Sequence, residues 1–294
     1  MKKLCLIILL AFITISIKAQ FPPKIENPSQ FGKDCFYYQI LPKNGLPKGV
    51  LVLIPGYGEH PYSVSAQSTI LQEAEKSNLA VMIVNLSKDN LEFPINEIAI
   101  DKLSKMIKYF YAGQKLSEST KLFIGGFSIG GTTALKFYAQ KKNEFKINKV
   151  FAIDPPLDLV RLRKSLSKGR DKNLIAKLDT LNQSNKFSEK SLKELSVYNP
   201  DYTTIEMLPD YQQTSLRIYC EPDILWWIKN RNMDLSDMNV TDCAGYINKL
   251  LQKSQNQKVE LILTKDRGFR NGTIKHPHSW SIAEPVSLVK WLMD

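Results

Sequence analysis

Short, almost unbroken apolar runs recur through this chain, at residues 49–55 (GVLVLIP), 79–86 (LAVMIVNL), 121–125 (KLFIG), 149–153 (KVFAI), 215–220 (SLRIYC) and 258–263 (KVELIL). A run that rich in β-branched residues, with little polar alternation, suits a strand buried on both faces. A further run at 35–41 (CFYYQIL) reads as an early strand. Between the runs lie segments of helical spacing, at 64–77, 95–111, 129–142 and 281–292. The second carries a stripe of Ile98, Ile100, Leu103, Ile107 and Phe110. Strands alternating with helices predict an α/β fold, a mainly parallel sheet with helices on both faces. Such sheets bind ligands at the carboxyl ends of their strands, so the chemistry is sought there.

The alternation breaks once. From 155 to 213 no convincing strand appears, while Leu157, Val160, Leu162 and Leu166, then Leu174, Ile175, Leu178 and Leu181, keep a helical pattern. An unstructured loop of that length is uncommon inside a domain. The stretch is therefore expected to be a helical insertion in a core made of 20–154 and 214–294. No internal repeat is evident.

The formal net charge of +11 invites a nucleic-acid reading. The N-terminus weakens it. Met1-Lys2-Lys3 precedes an apolar run, and Lys18-Ala19-Gln20 follows, the layout of a secretory signal peptide covering 1–19. The run is short for a membrane span, and Cys5 lies inside it rather than at its end. Its removal takes three lysines and leaves +8. An exported protein, periplasmic or secreted, with no stable membrane span, is expected, and no nucleic-acid motif is present. The remaining cysteines, Cys35, Cys220 and Cys243, allow one disulfide at most, and no Cys-x-x-Cys suggests a metal or redox site. No cofactor and no metal are expected.

Gly126-Phe127-Ser128-Ile129-Gly130 is a Gly-x-Ser-x-Gly motif set between a strand and a helix. A serine on so tight a turn has strained dihedrals, and flanking glycines avoid the clashes. The turn also aims the N–H of the next residue at developing negative charge.

Here the sequence resembles the α/β-hydrolase family, from about Cys35 to Leu292. The resemblance implies a serine nucleophile, then an acid, then a histidine in chain order. Only His60, His276 and His278 exist. The base is expected at His278, which directly precedes Ser279-Trp280, with His276 the alternative, restrained by Pro277. The acid is expected after the 215–220 strand, at Asp223, with Glu221 and then Asp154 as alternatives. The oxyanion donors would be the N–H groups of Ile129 and of Tyr57, in Pro55-Gly56-Tyr57-Gly58 where the family often has His-Gly. His60 either borders the pocket or is an ordinary loop residue. The insertion at 155–213 falls where many family members carry a cap. Its 155–199 stretch holds ten basic residues and five acids, which either attract an anionic substrate or form a solvated face. Trp226 and Trp227 either line a pocket or pack.

The resulting expectation is an exported serine hydrolase cleaving carboxylic esters, small or polymeric, through an acyl-enzyme. A peptidase or amidase, an acyltransferase, or a non-catalytic binding protein of the same fold are the alternatives. Oligomeric state is not legible.

Overall fold

The computed structural model describes residues 24–43, 45–169, 172–181 and 187–294. The signal peptide expected at 1–19 lies outside the described residues. The chain opens with β1 (Lys24–Glu26), β2 (Phe36–Ile40), β3 (Gly49–Ile54), α1 (Tyr62–Gln67), α2 (Ile70–Lys76), β4 (Leu79–Asn85) and α3 (Glu97–Gly113). β5 (Lys121–Phe127), α4 (Ile129–Lys141) and β6 (Ile147–Ile153) follow. After the insertion helices α5 (Leu159–Gly169), α6 (Lys172–Asp179) and α7 (Glu189–Leu195) come β7 (Ser215–Cys220), α8 (Ile224–Arg231) and α9 (Asn239–Lys253). β8 (Val259–Leu263), a small hairpin of β9 (Phe269–Arg270) and β10 (Ile274–Lys275), and α10 (Pro285–Met293) complete it.

Eight strands form one sheet in the order β1-β2-β4-β3-β5-β6-β7-β8. From β4 to β8 the pairings are parallel; β2 joins β4, and β1 joins β2, antiparallel. The apolar runs are uninterrupted because both faces are covered. In β3, Val50, Val52 and Ile54 enter the core shared with α3, α4 and α9, while Leu51 and Leu53 enter the core shared with α2 and α10. A side-chain period of two therefore buries every residue of the strand. The sequence spacing did not separate α1 from α2, nor single out α8, α9, β1 or the β9–β10 hairpin. The predicted 281–292 helix is a short 3₁₀ turn at Trp280–Ile282 followed by α10, with Pro285 at its start, where a missing N–H costs nothing.

The insertion packs through Leu159, Leu178 and Leu192 against Phe93, Ile95 and Ile129, so it rests on the residue following Ser128. Among the described residues, several of its basic side chains are paired. Arg161 meets Asp242, Arg163 meets Asp179, Lys168 meets Asp237, and Lys177 meets Glu92. Cys35, Cys220 and Cys243 are buried free thiols.

The tightest backbone contact lies where β3 and α4 meet. A Cβ on Gly130 would fall 2.1 Å from the Ile54 carbonyl oxygen and 2.4 Å from that of Pro55. A Cβ on Gly113 would meet nothing within 4 Å. Gly130→Ala is expected to destabilise the protein by about 1–3 kcal/mol, and Gly113→Ala is not. Thermal unfolding of the two variants checks this; equal melting temperatures would remove the contact as a constraint.

Candidate active site

Ser128 sits between β5 and α4 with φ 54° and ψ −128°. A non-glycine residue there is strained, and three contacts hold it. Its N–H donates to the Ile153 carbonyl at 2.8 Å, and its carbonyl accepts from the N–H groups of Gly131 and Thr132. Gly126 and Gly130 are too close for side chains, since a Cβ on Gly126 would lie 2.4 Å from the Gly130 carbonyl carbon. The turn thus needs small residues on both sides of the serine.

Ser128 lines a cavity of about 670 Å³, together with Tyr57, Ile129, Asp154, Trp227 and His278. Insertion residues Leu162, Leu166 and Leu174 line it too. His278 Nδ1 is 2.5 Å from Asp154 Oδ2, and the imidazole packs on Phe127, with ring centres 4.4 Å apart. Asp154 directly follows β6, with φ 45°, and is buried. Its N–H donates to the Tyr219 carbonyl at 2.7 Å, and its own carbonyl accepts from Asn239 Nδ2 at 2.8 Å. An acid bonded to Nδ1 fixes the tautomer and leaves Nε2 to exchange protons.

The structure therefore pairs His278 with Asp154, the third of the candidate acids, and does not bring Asp223 to it. Asp223 instead caps α8, accepting from the Trp226 N–H at 3.0 Å, and pairs with Lys275 at 2.6 Å. The Lys275 ammonium holds the Asp223 carboxyl below its ordinary range. Glu221 is also committed elsewhere, accepting from the N–H groups of Arg267 and Gly268 and from the Thr264 hydroxyl. It fastens the loop after β8.

His276, the alternative base, is buried between Trp226 and the loop. Its ring centre is 4.7 Å from that of Trp226, and Nδ1 accepts from the His278 N–H. Burial first, then the nearby charge of Arg270, pushes its pKa down to about 3. Trp226 therefore packs on His276, while Trp227 lines the cavity. His60 stacks on Tyr62 at 4.9 Å and is not a lining residue.

In the loop after β3, the Gly56 N–H donates to Glu59 Oε2, the Gly58 N–H to the Asn90 carbonyl, and the Glu59 N–H to the Gly56 carbonyl. Among the described residues the Tyr57 N–H has no partner, and Tyr57 lines the cavity. Ile129 opens α4, where a first-turn N–H has no intrahelical acceptor. Glu59 was not anticipated. It also accepts from Gln67 Nε2 at 2.8 Å and from Trp280 Nε1 at 2.9 Å, tying the Tyr57 loop to the segment after His278. Only proximity across more than two hundred residues reveals that role. Among the described residues, no group of three His, Cys, Asp or Glu side chains is arranged to hold a metal, and no helix is long and apolar enough to cross a membrane.

A mainly parallel eight-stranded sheet with a serine on a strained strand-to-helix turn defines the α/β-hydrolase fold. Solved structures of that fold superpose well on the chain. A fluorophosphonate-binding serine hydrolase of Staphylococcus aureus matches with a TM-score of 0.59 at 16% identity, over 88% of this chain and 92% of that one. An S-formylglutathione hydrolase of the same organism matches with 0.58 at 15%, over 93% and 96%. Carboxyl esterase 2 of the fungus Tuber melanosporum matches with 0.59 at 15%, over 94% and 87%. No protein-family model and no curated protein matches the chain.

The environment of His276 has a pH consequence. Its folded pKa lies below the unfolded value of about 6.5, so the unfolded chain binds the proton first as pH falls. The stability tied to its neutral form is full above about pH 6.5 and declines toward pH 3, by at most about 1.4 kcal/mol per pH unit. NMR titration is expected to find the His276 imidazole neutral from pH 8 to 5. A His276 midpoint near 6.5 would contradict the burial argument.

Proposed function

We propose that the protein is an exported serine hydrolase of carboxylic esters, acting through Ser128, His278 and Asp154. The observation that carries this reading is the His278–Asp154 bond in the wall of the cavity that Ser128 enters on a strained turn. The fold shared with serine hydrolases and esterases supports it.

In this reading Ser128 Oγ attacks the ester carbonyl carbon while His278 Nε2 takes the hydroxyl proton. The C=O electron pair moves to oxygen, and the Tyr57 and Ile129 N–H groups stabilise that oxyanion. Collapse expels the alkoxide, which receives the proton from His278 as the alcohol. Water then attacks the acyl-enzyme, giving its proton to His278, and the acid leaves as Ser128 recovers its hydroxyl. Asp154 stays ionised, orients the ring and stabilises the imidazolium.

A fluorophosphonate probe is expected to label the wild type and not Ser128→Ala; a folded wild type that resists labelling would overturn the reading. Asp154→Asn is expected to lower kcat on a 4-nitrophenyl ester by roughly 10⁴-fold, and Asp223→Asn to stay close to wild type. Comparable losses in the two variants would reject Asp154 as the acid. Mass spectrometry of the exported protein tests localisation, with an N-terminus at Gln20 expected.

A further inference from the structure

The carboxylates lining the cavity are all engaged. Asp154 holds His278, Glu221 takes the N–H groups of Arg267 and Gly268, Asp237 meets Lys168 at 2.7 Å, and Glu59 takes Gly56, Gln67 and Trp280. The lining guanidinium of Arg161 is paired with Asp242. Arg270 and Arg231 differ. Both line the cavity, and neither has a carboxylate within ion-pair distance among the described residues.

Arg270 is half-buried and bonds the His278 carbonyl through Nε and Nη2, at 3.3 and 3.0 Å. A guanidinium carries five N–H donors, so the others remain. That bond also sets the Arg270 charge beside the base. Burial presses its pKa down; the nearby acid, Glu59, opposes this, and the charge of Arg231 adds to it more weakly. A half-buried cation next to a second cation is costly unless an anion completes it. His276 adds a separate sign. Its buried Nε2 has no hydrogen-bond partner, and Arg270 and Arg231 both disfavour its charged form. Arg270, Arg231 and His276 thus bring surplus donors to the wall, and the nearby acid, Glu59, is already taken by Gly56, Gln67 and Trp280.

We propose that Arg270 and Arg231 form an anion subsite in the Ser128 cavity, and that the preferred substrates are esters bearing a carboxylate near the scissile carbonyl. This rests on the hydrolase reading above and specifies its substrate class. A carboxylate has acceptor oxygens only, and a guanidinium can hold it with two parallel bonds. Arg270 would hold it beside His278, and Arg231, exposed at the cavity, would attract it from solvent. The bond-making steps are those already given; the carboxylate passes through them unchanged.

Two pairs of esters test the site. For a carboxylate on the acyl side, 4-nitrophenyl hydrogen glutarate is compared with 4-nitrophenyl valerate. For one on the alcohol side, 3-carboxyphenyl butyrate is compared with phenyl butyrate. In one pair the charged ester is expected to have kcat/KM higher by roughly tenfold to a hundredfold. That ratio is expected to fall toward one in Arg270→Gln and to fall in Arg231→Gln, while Arg270→Lys keeps part of it. General damage to the site slows both esters of a pair and leaves their ratio intact, so the ratio separates recognition from folding. If the neutral esters are cleaved and neither pair favours the charged member, or if the ratio survives Arg270→Gln, the anion subsite is wrong while the hydrolase reading stands. If no ester is cleaved and fluorophosphonate fails to label, both fall.

Discussion

The contact between Gly130 and the carbonyl oxygens of Ile54 and Pro55 is the constraint on which the site depends. It lets α4 start directly against the end of β3, at backbone separation. Two consequences follow from one approach. Ser128 is forced into a turn with positive φ, which lifts it from the sheet into the cavity. The Ile129 N–H, at the helix start, is brought to the strand end from which the Tyr57 loop leaves. The strain at Ser128 is sustained by its bond to Ile153 and by the close fit of Gly126 on Gly130, so the fold and not the turn supplies the stabilising energy.

Asp154 carries a second layer of coupling. Its backbone is held from β7 through the Tyr219 carbonyl and from α9 through Asn239. Asn239 also accepts from Arg161, on α5 of the insertion, and Arg161 is paired with Asp242 on α9. The insertion is therefore fastened to the core by a buried guanidinium two contacts from the residue that orients His278. An Arg161 left without Asp242 would be a buried unpaired charge, which is strongly destabilising. Seating of the insertion and placement of Asp154 are thus mechanically linked.

How much of this was legible in the sequence depends on the range of the interaction. The sheet strands were readable because burial on both faces leaves an apolar run whatever the partner is. The turn at Ser128 was readable because so tight a turn needs glycines two residues away on each side. The carboxylate that meets His278 was not. β6 and β7 are adjacent parallel strands that end at the same rim, and Asp154, Glu221 and Asp223 all follow their ends. Chain order admits each. What separates them is who else claims the carboxylate: Lys275 and the start of α8 for Asp223, the 264–268 loop for Glu221. Those claims come from partners three to about fifty residues away, and no local pattern announces which wins. Glu59 escaped for the same reason, since its Trp280 partner lies at the far end of the chain.

The charge excess changes meaning along the same lines. Summed over the sequence it drew attention to the insertion, as either an anion-attracting surface or a solvated face. In the folded chain Arg161, the insertion's basic residue in the cavity lining, meets Asp242, and Lys168 meets the lining Asp237, both acids coming from the neighbouring 234–242 segment. Pairing converts their charge into attachment. The cations in the cavity wall without a counter-ion among the described residues, Arg231 and Arg270, come from the core segments after β7 and β8. Electrostatic character at a reacting centre is set by what remains after pairing, because a paired charge contributes little field a few ångströms beyond its partner. Composition counts every lysine and arginine equally, whereas the cavity registers two.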